Sequence, residues 1–410
     1  MEKFDIYSSL IAAYFLNFEK FNTNILQSEH HTKQLIAIAR FNRLENSLLN
    51  FLEKSKLEIP SNLKQQLKTK ALKLTIKSAS CLESSLRISK ILSTESIPFV
   101  FLKALAMYTY NTDCISRRPS SDVDVFIPKS EAYDAVKILI QKGYKLKKKY
   151  PFNNKYWEGS LDENPDVLLK DNENNSIEIH TSLFKKAKKD YPDFEKSFLE
   201  SNLVKNKNFV DLRAPSFENY ILHVIYNYTT HSFYTSGFKY FLDIKQINMN
   251  HDLDWRYILE KSKEIDINLQ TYLTINSMVK LELLPRDFLS KNRVPIIEQG
   301  YIDKAISLSF ENVTSDNYTA LREANFLKKV SLIIKKIILP SSSKLSYEYN
   351  ISIKNKFKLM MSYPLYLVDF IKNYLISRDK INFLLRNDDQ HLNKVNLRDY
   401  VNNDSAKGHK

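Results

Sequence analysis

The stretch that decides the fold is Arg118-Pro119-Ser120-Ser121-Asp122-Val123-Asp124-Val125-Phe126-Ile127. Its second half is rich in β-branched and aromatic residues, which predicts a short strand that starts at Asp122. Side chains two residues apart in a strand point to the same face, so Asp122 and Asp124 project together. Two converging carboxylates repel each other unless a cation or a donor lies between them. Because Mg²⁺ prefers oxygen ligands and often holds substrate phosphates as well, the pair predicts a magnesium site.

The sequence on both sides of this strand predicts a small α/β unit. Upstream, the continuous apolar run 97–102 is typical of a buried strand, and 103–108 returns to helical composition. Downstream, Lys129–Gln141 has amphipathic spacing, and Gly143 is placed to end that helix. Further short strands are predicted at 144–150, 155–160, 166–170 and 176–181, with a turn at 171–175.

The rest of the chain has helical patterning, so the predicted fold class is α+β: a small mixed sheet between helical regions. Pro60 followed by Ser61 predicts a break and a restart between N-terminal helices, and Asp254 predicts the start of a later one. Further helix breaks are predicted near Pro285, Pro295, Pro340 and Pro364. The predicted regions are an N-terminal helical region over 1–92, an α/β core over 93–210, a C-terminal helical domain over 211–401 and a disordered tail over 402–410.

Composition narrows the class of protein. With 43% hydrophobic and 26% charged residues, the chain has an ordinary globular composition. Only five glycines occur in 410 residues, and none forms a glycine-rich phosphate loop of the Rossmann or P-loop type. Two cysteines without metal or disulfide spacing, no signal peptide and no long apolar run predict a cytoplasmic protein without a membrane span. The net charge of +14 favours anionic partners, although lysine-rich proteomes produce the same surplus.

A third carboxylate strengthens the magnesium interpretation. On its own, an Asp-x-Asp pattern is common in solvated turns. Here Glu178 lies in the alternating segment Ser176–His180, a second predicted strand, and Arg117 and Arg118 precede the aspartate pair. Three carboxylates on neighbouring strands suit two Mg²⁺ ions that align a hydroxyl nucleophile with a phosphoryl group. The third carboxylate would complete the site and could serve as general base, and arginine suits phosphate through its planar fork.

The order of these motifs resembles a known family, the uncharacterised bacterial nucleotidyltransferases of the DNA-polymerase-β-like superfamily. The resemblance spans roughly residues 80–350 and continues into the helical part of the chain. It rests on the segments 101–106, 118–126, 135–144, 177–180, 217–223, 241–243 and 252–255, together with His231.

The resemblance implies transfer of a nucleoside monophosphate from a nucleoside triphosphate (NTP) to a hydroxyl-bearing acceptor, with release of pyrophosphate. Asp122 and Asp124 match the metal-binding pair of the family, and Glu178 matches its third carboxylate. Lys103 and Arg118 match positions assigned to triphosphate contact. The acceptor stays open between a protein hydroxyl, a tRNA end, a sugar and a small molecule.

Three more residues complete the predicted site. Ser121 is assigned to the triphosphate beside the aspartate pair. His180 follows Glu178 by two residues and therefore shares its strand face, which makes it a candidate for acceptor contact or for support of the carboxylates. Asp243, after an apolar helix start, is a second candidate of that kind.

One departure from the family pattern motivates an alternative function. The family usually has Lys-Gly where this chain has Lys103-Ala104. A glycine lets the backbone approach the phosphates, and the methyl group of Ala104 narrows that approach. The alternative is a nucleotide-binding or regulatory protein of the same fold that has lost turnover.

A third hypothesis comes from a basic run between Lys137 and Lys155. Seven lysines occur there without an acidic residue among them: 137, 142, 145, 147, 148, 149 and 155. Such a run is a candidate track for RNA, but lysines along a sheet edge also prevent aggregation. The basic segment Leu327–Leu339 is interpreted as a core-facing helix.

Overall fold

The computed structural model describes residues 3–111, 114–147, 161, 166–184, 191–200, 204–206, 209–231, 234, 237–310, 345, 349, 351 and 355–375. By its internal contacts the chain forms two compact units. The first comprises residues 1–147, 168–312 and 397–410, and the second comprises 148–167 and 313–396. The predicted boundaries at 92/93 and 210/211 stay predictions, and the predicted tail lies outside the described residues.

The N-terminal region is helical, as its apolar periodicity predicted. Its helices are α1 (Lys3–Phe15), α2 (Glu29–Phe41), α3 (Glu45–Ser55) and α4 (Ser61–Thr94). The Ser28 hydroxyl accepts a hydrogen bond from the backbone N–H of His31 and caps α2. Pro60 ends the preceding turn, and α4 runs on for 34 residues. The buried side of α4 carries small residues, among them Ser78, Cys81 and Ser85, so its backbone can approach the sheet closely.

A five-stranded mixed sheet forms the centre of the first unit. Its strands are β1 (Val100–Phe101), β2 (Asp122–Phe126), β3 (Lys145–Leu146), β4 (Asp166–Lys170) and β5 (Ser176–His180), in the order β1-β2-β5-β4-β3. β2 and β5 pair in parallel, with Asp122 opposite Ser176 and Asp124 opposite Glu178. β1 pairs with β2, and β3 with β4, in the antiparallel sense. The parallel register therefore places two of the three predicted carboxylates side by side.

Short helices connect and cover this sheet. They are α5 (Lys103–Tyr110), α6 (Cys114–Arg117) and α7 (Lys129–Gln141), followed later by α8 (Pro192–Glu200). Gly143 has a φ of +95° after α7, as expected of a helix-ending glycine. Within the described residues, the predicted strands 97–102 and 144–150 shrink to the two-residue strands β1 and β3. The predicted strand 155–160 lies outside them. A separate hairpin is formed by β6 (Val204–Asn206) and β7 (Phe209–Ala214).

The region after β7 is helical. Its helices are α9 (Phe217–Tyr226), α10 (Lys239–Asn250), α11 (Trp255–Glu264), α12 (Asn268–Lys280), α13 (Phe288–Lys291) and α14 (Gln299–Phe310), with a π-helical turn at Asn227–His231. Asp254 caps α11, as predicted, by accepting a bond from the Tyr257 N–H. Pro285 and Pro295 lie between helices, which confirms two predicted breaks. The mixed α+β class predicted from the sequence is confirmed.

The second unit contains the helix α15 (Lys356–Leu375) and a small apolar cluster of Leu345, Leu359 and Tyr366. The predicted break at Pro364 is wrong, because this proline lies inside α15. The predicted break at Pro340 and the predicted helix 327–339 lie outside the described residues. Among the helices of the described part, none has the length and apolar character needed to cross a membrane.

Candidate functional site

The site is built on the parallel pair β2 and β5. Alternation along β2 buries Val123 and Val125 on one side and leaves Asp122 and Asp124 on the other. Because Asp124 pairs in register with Glu178, the two carboxylates lie side by side on adjacent strands. The sequence predicted that these strands would bring carboxylates together, and the structure confirms that they are neighbours.

Asp124 is the centre of the polar cluster. Its Oδ1 accepts a hydrogen bond from Lys103 Nζ at 2.6 Å and lies 2.8 Å from His180 Nε2. Burial would raise the pKa of Asp124, but the positive charge of Lys103 and the hydrogen bond from His180 outweigh it and lower that pKa. Asp124 is only 2% exposed, so a carboxylate that is ionised at neutral pH is held inside the protein.

Glu178 lies at the more open side of the cluster. Its Oε2 is 4.0 Å from Lys103 Nζ and 4.0 Å from His180 Nε2, and its side chain is 28% exposed. Burial raises the pKa of Glu178, and the negative charge of Asp124 raises it further. Burial would lower the pKa of Lys103, but the negative charges of Asp124 and Glu178 and the hydrogen bond to Asp124 raise it above its ordinary value. The two carboxylates therefore differ in basicity, with Glu178 the stronger proton acceptor.

Three potential ligand atoms converge in this cluster. One atom each of Asp124, Glu178 and His180 lies within 4.8 Å of the others, a spacing that could hold a metal ion. Two carboxylates and one imidazole are a donor set that divalent cations accept. Asp122 is not part of that triplet. Its Oδ1 instead accepts a hydrogen bond from the Ser121 hydroxyl at 3.1 Å.

The loop before β2 is fixed by α4. The Ser78 hydroxyl accepts a bond from the Ser120 N–H at 2.9 Å and donates to the Ser120 carbonyl at 3.3 Å. The Ser120 hydroxyl in turn donates to the Asp122 carbonyl at 2.7 Å. The same loop is held from the N-terminal side, where Arg43 donates to the Ser121 hydroxyl. These contacts fix where Asp122 enters the sheet.

Arg118 and Asp243, both predicted site residues, lie next to each other. The guanidinium donates from Nε to Asp243 Oδ1 at 2.8 Å and from Nη2 to Oδ2 at 3.0 Å. The Arg118 and Asp243 side chains are 6% and 0% exposed. The negative charge of Asp243 overcomes the effect of burial and raises the pKa of Arg118. In this structure the donors of Arg118 are directed into the protein, towards α10.

Tyr220 connects this ion pair to the carboxylate cluster. Its hydroxyl lies 3.0 Å from the Lys103 carbonyl and 3.4 Å from Asp243 Oδ2. Lys103 has a φ of +52°, a left-handed conformation that costs free energy in a residue with a side chain. Ala104, by contrast, has no left-handed backbone; it lies within α5 and is 3% exposed. The strained position at the start of α5 is therefore Lys103, which aims its ammonium at Asp124.

Sequence reasoning missed four residues around the site: Arg43, Tyr220, Lys239 and Tyr240. The ring of Tyr240 lies 5.8 Å from the Arg118 guanidinium and 5.5 Å from the Lys239 ammonium. Helical periodicity predicted the helix that carries Tyr220, but the target of its hydroxyl depends on how that helix packs. Arg43 lies in a turn between two helices, and no local pattern relates that turn to residues 78 positions later.

Comparison with protein families gives one match. A family described as an uncharacterised nucleotidyltransferase matches residues 28–281, which include α2 to α4, the sheet and most of the later helices. No curated protein and no solved structure matched the chain. The matched range contains every residue of the site described above.

Proposed function

Because the chain belongs to the family of uncharacterised nucleotidyltransferases, we propose that it transfers a nucleoside monophosphate from an NTP to a hydroxyl-bearing acceptor and releases pyrophosphate. The observation that carries this proposal is the convergence of Asp124, Glu178 and His180 at one end of the parallel strand pair, with Asp122 two residues before Asp124. A nucleotidyl transfer needs negative charge on phosphate to be neutralised and a hydroxyl to be deprotonated.

The residues present fit a divalent metal, and the expected cofactor is Mg²⁺, with two ions in the full site. The proposed ligands are Asp124 and Glu178 of the converging triplet, with Asp122 from the same face of β2, because ionised carboxylates are preferred ligands of Mg²⁺. The low pKa of Asp124 supports this role, since the carboxylate stays charged at neutral pH. When bound, the metal would supply charge neutralisation at the transferring phosphoryl group.

The protein groups divide the remaining tasks. Glu178 is proposed as the base that receives the proton of the acceptor hydroxyl, and its raised pKa supports that role. His180 is proposed to orient Asp124 through the contact at its Nε2. Lys103 is proposed to hold Asp124 in place before the nucleotide arrives and then to share its charge with the phosphates.

The test is transfer of label from each α-³²P-labelled NTP to an acceptor pool from cell extract, with Mg²⁺ or Mn²⁺ present. Wild-type protein and an Asp252→Asn control, which changes an exposed carboxylate, should both transfer label. Asp124→Asn and Glu178→Gln should each lose at least about a hundredfold in rate, because each removes a charge that the reaction needs. Unchanged labelling by Asp124→Asn would refute the assignment.

The metal assignment has a separate readout. Titration of Mn²⁺ followed by electron paramagnetic resonance counts bound ions without any turnover. We expect weaker Mn²⁺ binding in Asp124→Asn and Glu178→Gln than in wild-type protein, and no change in Asp252→Asn. Mn²⁺ affinity that does not depend on Asp124 would place the metal elsewhere.

The same measurements separate the regulatory alternative from the enzyme. A protein that lost turnover through Ala104 should bind NTP and metal but transfer no label, and Ala104→Gly should restore transfer. The RNA-binding alternative finds support in exposed Lys137, Lys142, Lys145 and Lys147; Lys148, Lys149 and Lys155 lie outside the described residues. An RNA affinity that falls steeply with salt would support it.

A further inference from the structure

Four cationic side chains lie near the loop before β2. Two of them form ion pairs with carboxylates. Lys103 is paired with Asp124, and Arg118 is paired with Asp243. Arg43 and Lys239 are different. Within the described part of the chain, no carboxylate lies within ion-pair distance of either. Cations that are gathered without matching anions create a positive potential that attracts an anionic ligand.

Arg43 reaches this place through the turn between α2 and α3. It donates to the Ser121 hydroxyl, which itself donates to Asp122 Oδ1 at 3.1 Å. The preceding residue, Asn42, accepts a hydrogen bond from the Phe238 N–H at 2.7 Å. The turn therefore touches both the loop before β2 and the start of α10, and it brings Arg43 beside the carboxylates.

Lys239 is the first residue of α10 and directly follows Phe238, whose backbone N–H donates to Asn42 of that turn. Its half-buried ammonium lies 5.5 Å from the centre of the Tyr240 ring, and the Arg118 guanidinium lies 5.8 Å from the same ring. Burial, together with the positive charges of Arg118, Arg43 and Lys103, lowers the pKa of Lys239 to about 7, although the negative charge of Asp243 acts against them. An ammonium in this position is destabilised until an anion joins it.

We propose that Arg43, Ser121 and Lys239 form the subsite that binds the polyphosphate of the incoming nucleotide, next to the carboxylate cluster. The proposal rests on the proposed function and extends it to residues of the N-terminal turn and of α10. It changes the roles expected for Arg118 and Lys103, since Arg118 then supports the subsite through Asp243 and Lys103 holds Asp124. The chemical class of ligand is a linear polyphosphate, free or as part of an NTP.

A proton should accompany binding. The groups that face Lys239 are Arg43, Arg118, Lys103 and Asp243, together with the ring of Tyr240. A bound polyphosphate adds negative charge to this set, so it raises the pKa of Lys239 and favours its protonated form. Above pH 7 the free protein must therefore take up a proton in order to bind, and affinity falls as pH rises.

The experiment is isothermal titration of inorganic tripolyphosphate, and of each of the four NTPs, without metal. Wild-type protein should bind tripolyphosphate, and Arg43→Gln and Lys239→Met should each weaken binding about tenfold or more. Lys33→Ala is the matched control, because Lys33 is an exposed lysine of α2 paired with Glu29. Lys239→Met relieves the desolvation of the ammonium and its repulsion by neighbouring cations, which outweigh its attraction to Asp243, so the variant is expected to fold; thermal melting of each variant checks this.

Lys239→Arg tests the pH dependence of binding, which a merely structural role of Lys239 would not affect. It keeps the charge but does not titrate, so it should bind at pH 7 and lose the extra pH dependence. Between pH 7 and 8.5, wild-type affinity should fall about tenfold relative to Lys239→Arg, a comparison that cancels titration of the phosphate itself.

The results of these experiments distinguish the polyphosphate subsite from the proposed nucleotidyltransferase activity. Tripolyphosphate binding that depends on Arg43 and Lys239, without any transfer of label, supports the subsite and contradicts the enzyme assignment. Label transfer with tripolyphosphate affinity unchanged in Arg43→Gln and Lys239→Met overturns the subsite alone. A wild-type protein that binds neither tripolyphosphate nor any NTP also overturns the subsite.

Discussion

The buried pair of Arg118 and Asp243 offers a direct test of how the helical region supports the candidate site. Two hydrogen bonds of 2.8 and 3.0 Å join the side chains, which are 6% and 0% exposed. Asp243→Leu removes both bonds and leaves the Arg118 cation buried without a partner. The expected loss in free energy of unfolding is about 3–5 kcal/mol, because a buried charge cannot regain its hydration.

The double variant Arg118→Met, Asp243→Leu separates this charge effect from packing. It replaces the ion pair with apolar side chains of similar length, so most of the lost stability should return. Tyr220 keeps a partner in both variants, because its hydroxyl also lies 3.0 Å from the Lys103 carbonyl. The single variant should therefore be less stable than the double variant by about 2 kcal/mol or more.

Urea unfolding followed by far-UV circular dichroism measures these differences, with Asp252→Ala as a control on an exposed carboxylate. The control should change the free energy of unfolding by no more than about 0.5 kcal/mol. The reasoning is refuted if Asp243→Leu costs less than about 1 kcal/mol, a typical surface value, or if the double variant is less stable than Asp243→Leu.

Three further predictions concern stability and pH. Gly237 has a φ of +91°, and an added Cβ would lie 2.6 Å from Asn42 Oδ1. Gly237→Ala should therefore lower the free energy of unfolding in urea by about 2–4 kcal/mol. The control Gly300→Ala, whose added Cβ would have its nearest contact at 3.8 Å, should lower it far less. The pKa of Lys239 is lowered from 10.5 to about 7, so the unfolded state binds more protons between these values. Lys239→Met should therefore be more stable than wild type near pH 7, with an advantage that shrinks as pH rises towards 10. Hydrogen bonds from the 173–175 turn lower the pKa of Asp171 from 3.8, although burial acts in the opposite direction. Asp171→Asn should therefore cost about 1–2 kcal/mol of unfolding free energy at neutral pH, and progressively less as the pH falls below 3.8. Equal costs at pH 7 and pH 3 would contradict this prediction.

Local sequence was sufficient for much of the fold. Amphipathic spacing predicted a helical N-terminal region and the helix Lys129–Gln141, because burial of one helix face is encoded within a few turns, but it did not predict the turn between α2 and α3. The strand at 97–102 was overestimated, and so was the described part of the strand at 144–150, since an apolar run specifies burial but not how many residues find a strand partner. The predicted break at Pro364 failed, because a helix can retain a proline when tertiary packing holds its neighbours in place.

In the candidate site, too, local periodicity predicted some features, and tertiary packing determined the others. Alternation along two strands was enough to predict that Asp124 and Glu178 share a face, because the two-residue period of a strand is a local property. The same period predicted that His180 shares the strand face of Glu178, and the structure adds its contact with Asp124. The partner of Arg118 did not, because Asp243 is 125 residues away and its position depends on helix packing.

By itself, the sequence determined the class of the fold, the carboxylates that converge and the family to which the chain belongs. Which cations have a carboxylate partner, and which have none within the described part of the chain, depends on the tertiary structure. Lys103 and Arg118 have carboxylate partners, whereas Arg43 and Lys239 come from separate helical segments that the hydrogen bond from the Phe238 N–H to Asn42 brings together. This is because side-chain periodicity is a property of a few neighbouring residues, whereas electrostatic pairing depends on distances in space that only the folded chain sets.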